Sequence, residues 1–327
     1  MALVMWKMIV RRFLILIPQL LFISIFIFIL GTLMPGDALS GLVDPTLTTA
    51  DIQRQRELLG LDDPLPVRYV NWITKIVFEQ DFGQSFTHRR SVTDVIGDRV
   101  GNTFWLSLAI LVLTYLIAIP LGILAGRYGG KWPDKTIMFY VFVALSMPTL
   151  VLGILMILTF AFNLGWFPSS GSVNAIVLSQ GTDFEIFIDR LRHMILPATT
   201  GALLSTIGII FMLRANIIDR TASEYVKLAR SKGVPTRVIF NKHILRNSII
   251  PVTAGIGFAI AGLLMGVLFI EQIFMYPGMG ALFFQSIIQR DFAVVNALIL
   301  LFSSLTAFGM LLSDILLTIV DPRIQVQ

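Results

Sequence analysis

Long apolar blocks alternate with shorter polar segments along most of the chain. Each block has about 20 residues or more, the length that an α-helix needs to cross roughly 30 Å of hydrocarbon. The blocks cover residues 13–34, 103–126, 136–162, 194–218, 249–275 and 292–320. This pattern predicts an all-α membrane protein with about six transmembrane helices.

The first apolar block resembles a secretory signal peptide, because Lys7, Arg11 and Arg12 precede it. Its apolar run is longer than the roughly 7 to 15 residues of a signal-peptide core. We therefore expect an uncleaved membrane anchor.

A polar segment, residues 35–100, separates the first two blocks. Apolar residues recur at helical spacing in residues 52–59 and again after Pro66, which predicts a helical extracytoplasmic insertion between spans 1 and 2. Two aromatic residues in it, Tyr69 and Trp72, either anchor the insertion at the membrane interface or contact an extracellular partner.

The composition supports the bilayer as the solvent of this chain. Apolar residues make up 56% and charged residues 14%, and the mean hydropathy is +0.82. The formal charge of +5 is not an indication of nucleic-acid binding, because many basic residues stand between hydrophobic blocks. The absence of cysteine excludes disulfides, thiolate zinc sites and cysteine nucleophiles.

The positions of the basic residues also predict the orientation. They concentrate in residues 127–135 and 214–246, so both segments, and with them both termini, are expected in the cytoplasm. The predicted divisions are residues 1–34 (N-terminal segment and first span), 35–100 (insertion), 101–320 (core membrane domain) and 321–327 (cytoplasmic C-terminus).

The segment between the fourth and fifth blocks, residues 219–248, carries local structural signals. Thr221 and Glu224 have the spacing of a capping box, Gly233 is a fitting helix stop, and a second helix can begin after Pro235. Small residues within this segment permit close approach of a partner. The alternative is a basic loop that only touches anionic lipid headgroups.

This segment resembles the coupling motif of the permease subunits of ATP-binding-cassette importers, in the oligopeptide and dipeptide branch. The similar residues run from Glu224 to Gly233 and from His243 to Pro251. The sequence departs from the general pattern at Tyr225 and Val226 and at Arg246-Asn247, as is typical of that branch. We name residues 219–248 the coupling loop. The resemblance implies contact with an ATPase by Glu224, Tyr225, Leu228, Ala229, Gly233, His243, Arg246 and Asn247.

Further motifs extend the resemblance over nearly the whole chain, and it implies the type I permease fold of these importers. Ser146 and Pro148, with Glu271, are the candidates for the pathway or gate. Candidates for a loop facing the substrate receptor are Tyr276, Pro277, Gly278, Arg290 and Asp291.

ATP chemistry is not expected on this chain. The nearest approach to a phosphate-binding loop, residues 125–132, lacks its leading glycine and its Ser or Thr. ATP and Mg²⁺ are therefore expected on partner ATPase subunits, with no cofactor or metal bound here. One competing class is a secondary transporter, which would need no partner. Another is an intramembrane hydrolase, which would need paired carboxylates at the same membrane depth, whereas Glu271 and Asp314 are predicted towards opposite faces of the membrane.

The resemblance implies several partners: a second homologous permease subunit, two cytoplasmic ATPases and an extracytoplasmic substrate-binding protein, in a bacterial or archaeal cell membrane. The expected cargo is oligo- or dipeptides. Nickel, glutathione or another small peptide-like molecule is the alternative.

Overall fold

The computed structural model describes residues 2–33, 62–264 and 267–320, and within these ranges every regular element is a helix. The all-α prediction is confirmed. The helices are α1 (Ala2–Leu33), α2 (Leu65–Thr74), α3 (Val92–Arg127), α4 (Trp132–Ser146), α5 (Thr149–Met156), α6 (Ala175–Gln180), α7 (Asp183–Thr221), α8 (Glu224–Ser231), α9 (Thr236–Val238), α10 (Arg246–Ser248), α11 (Ile250–Ala261), α12 (Leu268–Ile273), α13 (Met279–Ile288) and α14 (Phe292–Val320). π-Helical segments follow α2, α5 and α9. The predicted helix at 52–59, the C-terminal segment 321–327 and the side chain of Asp314 lie outside the described part.

Four described helices are long and apolar enough to cross a membrane, by length and composition: Leu14–Thr32 within α1, α3, α7, and Phe292–Ser313 within α14. The pair formed by α4 and the helical stretch Thr149–Asn163 passes the same test together, but it bends by 104°. The span predicted over residues 136–162 is therefore broken into two helices.

The bend lies at Met147 and Pro148. Proline has no N–H and disfavours the helical conformation in the residue before it. Accordingly, Met147 is extended, with φ −96° and ψ 116°, and α5 restarts directly after Pro148. The sequence predicts the break in hydrogen bonding, but the angle depends on packing against other helices.

The centre of the fold is the parallel packing of α3 and α7. A Cβ added at Gly126 would lie 2.7 Å from Cβ of Ile217, and a Cβ added at Gly122 would lie 3.1 Å from Cβ of Leu213. In both pairs the α7 residue follows the α3 residue by the same number of positions along the chain. The two helices therefore run side by side in the same direction. Backbones that approach this closely need small residues at the contact.

Because α3 and α7 are parallel, the chain between them must return from one end of the bundle to the other. Helix α4 and the stretch Thr149–Asn163 beyond the bend make this return, from Asp134 beside Arg214 to Phe160 beside the cluster of Leu106 and Phe274. We call the two ends of the bundle the α8 end and the α13 end.

The fifth apolar block, residues 249–275, is not one helix. Its described parts are α11, a 3₁₀ turn and α12. They nevertheless extend from Val252, which clusters with Ile217 near the α8 end, to Ile270, which clusters with Leu106. These pieces together reach from near the α8 end of the bundle to near the α13 end, as a membrane crossing requires. The count of six spans stays a prediction.

The described part of the insertion packs on α1. The hydroxyls of Tyr69 and Ser24 are 2.8 Å apart, within hydrogen-bond distance, and the rings of Tyr69 and Trp72 pack against Phe28. The two aromatic residues thus attach α2 to the first span. An additional interfacial or partner role for them stays a prediction.

Candidate functional site

The coupling loop is a structured unit attached to the bundle through apolar side chains. Val226 is fully buried, and with Ile239, Phe240 and Ile244 it joins the cluster that includes Ile217 of α7. Apolar burial of this kind stabilises a fixed orientation of the loop on α7.

The turn after α8 depends on Gly233. Its φ is +74°, a left-handed conformation that glycine adopts without steric cost. The N–H of Gly233 donates to the carbonyl of Arg230, and the N–H of Val234 donates to the carbonyl of Ala229. These two bonds form a Schellman motif, and the prediction of a helix stop at Gly233 is confirmed.

The predicted capping box at Thr221 and Glu224 is wrong. Helix α7 continues through Thr221, whose hydroxyl donates to the carbonyl of Ile217, and Ser223 is the N-cap residue of α8. The Glu224 carboxylate pairs with Lys227 at 2.7 Å on the surface. The long helix extends further than the local signal suggests, so only Ala222 and Ser223 separate α7 from α8.

The second helix of the coupling loop begins after Pro235, as predicted, but its middle, Ile239–Leu245, is a π-helix. His243 and Arg246 are exposed, and the Asn247 amide donates to the carbonyl of His243 at 2.8 Å. π-Helical turns are rare and frequent at functional sites.

The outward face of α8 combines polar and apolar groups. Glu224 and Tyr225 are exposed, and Leu228 is 57% exposed. Ala229 is half-buried, and an added Cβ at exposed Gly233 would meet no atom within 4 Å. An exposed leucine and tyrosine next to an open glycine turn form a surface that a partner can approach closely.

The predicted pathway residues Ser146 and Pro148 lie at the bend between α4 and α5. Ser146 is exposed, and its hydroxyl donates to the carbonyl of Phe142 at 2.9 Å. A pathway role for the two residues stays a prediction.

Glu271, the third pathway candidate, is fully buried on α12. Its carboxyl group accepts hydrogen bonds from the Thr103 hydroxyl on α3 and the Ala281 N–H in the first turn of α13, both at 2.9 Å. The Thr103 oxygen in turn accepts from the N–H of Met279 at 2.7 Å. The described structure thus gives Glu271 partners within the subunit, where it joins α3, α12 and the start of α13.

The chain folds tightly around Glu271. A Cβ at Gly278 would collide with the Glu271 carboxyl group, so this position admits no larger side chain without rearrangement. The Asn102 amide donates to the carbonyl of Pro277 at 2.9 Å. Tyr276 is buried, which raises its pKa to about 12.

Asp291 is also buried, just before α14. The Ser85 hydroxyl donates to its carboxylate at 2.5 Å, and the N–H of Thr87 donates to the same oxygen at 3.1 Å. Tyr276, Gly278 and Asp291 therefore have internal environments, while Arg290 is exposed. Of the receptor-facing candidates, Arg290 has the side chain best placed for an external contact.

Sequence reasoning missed an ion pair near the α8 end. Arg214 donates from Nε and Nη2 to the two carboxylate oxygens of Asp134, at 2.5 and 2.7 Å. Asp134 directly precedes an apolar block, and no local pattern identifies a partner so far along the chain. A capping box at Thr182 and Glu185 was also missed, although its Thr-x-x-Glu spacing is visible in the sequence.

Comparison with known proteins assigns the chain to a family. Residues 118–326 match the family described as "Binding-protein-dependent transport system inner membrane component", and residues 5–109 match the corresponding N-terminal region. The oligopeptide transport system permease protein AppB of Bacillus subtilis (strain 168) is 37% identical over 318 residues, 97% of this chain and 98% of that protein. The glutathione transport system permease protein GsiC of Escherichia coli (strain K12) is 33% identical over 322 residues, 98% of this chain and 99% of that protein.

These matches cover both the bundle and the coupling loop, in agreement with the resemblance found in the motifs. The chain belongs to the family of inner membrane components of binding-protein-dependent transport systems.

Proposed function

We propose that this chain is one of two permease subunits in an ATP-driven importer of peptides. Two cytoplasmic ATPases supply the energy, and an extracytoplasmic binding protein delivers the cargo. The observation that carries the proposal is the coupling loop: a structured helix pair, anchored by buried Val226 on one side and exposing Leu228 and Gly233 on the other.

In this mechanism, ATP binding closes the ATPases and moves the coupling loop. Only Ala222 and Ser223 separate α8 from α7, and both N–H groups donate to carbonyls at the end of α7. Displacement of the loop therefore reaches α7 directly. Because α3 packs closely along α7, the two helices move together and change the access of the pathway.

The orientation follows from the same proposal. The α8 end faces the cytoplasm with both termini, and the α13 end, with Arg290, faces the binding protein. The basic residues of the coupling loop agree with this orientation.

Peptides are the proposed cargo because the oligopeptide permease is similar over nearly the full chain. Glutathione, itself a small peptide, is the second candidate, since the glutathione permeases are similar over the same length.

Reconstitution into proteoliposomes tests the function. Uptake of a labelled tetrapeptide is expected only when ATP, the ATPases and the binding protein are all present. Excess unlabelled di- and octapeptides and glutathione then identify the cargo by competition. Uptake that persists without ATPases would contradict the proposal and favour a secondary transporter.

A further inference from the structure

The buried ion pair of Asp134 and Arg214 connects two parts of the α8 end. The Asp134 side chain is 3% exposed and the Arg214 side chain 28% exposed. The guanidinium makes two bonds to the carboxylate, and the N–H of Gly130 donates a third at 2.7 Å. The carboxylate thus joins α4 to α7 and to the turn between α3 and α4.

The last residue of α3, directly before this turn, contacts the coupling loop, and the turn itself contacts α7. The guanidinium of Arg127 lies 5.0 Å from the centre of the Phe240 ring, a cation–π distance. A Cβ at Gly129 would lie 3.3 Å from Cδ1 of Ile218 on α7. Close packing therefore combines this turn, the last part of α7 and the coupling loop into one unit.

A buried ion pair is weak evidence for stabilisation, because desolvation of the two charges offsets their attraction. The location of this pair indicates a different role. Arg214 lies two helical turns before the end of α7, and Asp134 lies in the first turn of α4. The pair is thus a direct polar connection between the helix that continues into the coupling loop and the helix that bends at Met147.

We propose that Asp134 and Arg214 are positioning residues for energy coupling. They make α4 follow α7 when the coupling loop moves, so that the movement reaches the bend at Met147 and Pro148. This inference rests on the proposed function.

Asp134→Asn tests the proposal, because the amide keeps an acceptor for Gly130 and loses the charged two-bond contact with Arg214. We expect uptake per assembled complex to fall about three- to tenfold, while ATP hydrolysis stimulated by the binding protein persists. The number of ATP molecules hydrolysed per peptide imported therefore rises. Arg214→Lys, which keeps the charge but not the paired geometry, is expected to give an intermediate ratio.

Asp98→Asn is the matched control, since it removes the carboxylate of an exposed ion pair with Arg90 at the start of α3. Its ratio of ATP to peptide is expected to equal that of the unmodified complex. If Asp134→Asn leaves this ratio unchanged, whether its activities are normal or fall in parallel, the positioning role is refuted. A failure of the proposed function is distinguishable, because then the unmodified complex itself would import no peptide.

Discussion

Replacing Gly233 with Asp is expected to abolish ATP-driven peptide uptake while the subunit remains folded and inserted. Gly233 is exposed, and an added Cβ would meet no atom within 4 Å. Aspartate tolerates the left-handed conformation better than most residues, so the cost to stability is about 1 kcal/mol. The added bulk and negative charge act instead on the face that approaches the ATPase. Uptake per assembled complex measures the effect.

Gly165→Asp is the matched control for this variant. Gly165 is also exposed, has a φ of +63° and has open space around it, but it lies between α5 and α6, away from the coupling loop. Its uptake is expected to remain near that of the unmodified protein. Normal uptake in Gly233→Asp would contradict the coupling role of this turn.

Replacing Glu271 with Ala is expected to prevent accumulation of a stable subunit. The change leaves the Thr103 hydroxyl and the Ala281 N–H without their buried acceptor and creates a cavity. Each unsatisfied group costs about 1–3 kcal/mol, so the total loss is several kcal/mol. The amount of subunit in the membrane and the melting temperature of the purified complex report this loss.

Glu185→Ala provides the comparison for Glu271. Glu185 also accepts from a backbone N–H at the start of a helix, but it lies on the surface. Loss of such a cap costs about 1 kcal/mol. Equal stability of the two variants would show that the buried contacts of Glu271 do not hold α12 and α13 in place. Normal amounts of Glu271→Ala with lost uptake would instead support a gate role.

The features that the sequence predicts well are those with a local cause. The membrane character follows from apolar blocks of sufficient length, and the helix stop follows from Gly233, where a left-handed residue is required. The break before Pro148 follows from the missing N–H of proline. Each of these depends on a few neighbouring residues.

The features that it predicts poorly depend on distant parts of the chain. The capping box at Thr221 fails because α7 keeps its helical bonds to that residue. The contact of Asp134 with Arg214 has no local signal, because it joins α4 to α7, which lie far apart along the chain. Likewise, Glu271 is visible in the sequence as an acid within an apolar block, but only the fold shows that Thr103 and the start of α13 are its partners.

The most direct measurement for the central claim uses Leu228→Cys in this chain, which has no cysteine of its own. Leu228 is 57% exposed on α8, and Ile176→Cys is the control, with a 68% exposed residue on α6. A membrane-impermeant maleimide is expected to label Leu228→Cys only from the cytoplasmic side, and bound ATPases are expected to protect it. Ile176→Cys should be labelled from the opposite side, with or without ATPases. Labelling of Leu228→Cys from outside, or equal labelling with and without ATPases, would contradict the account.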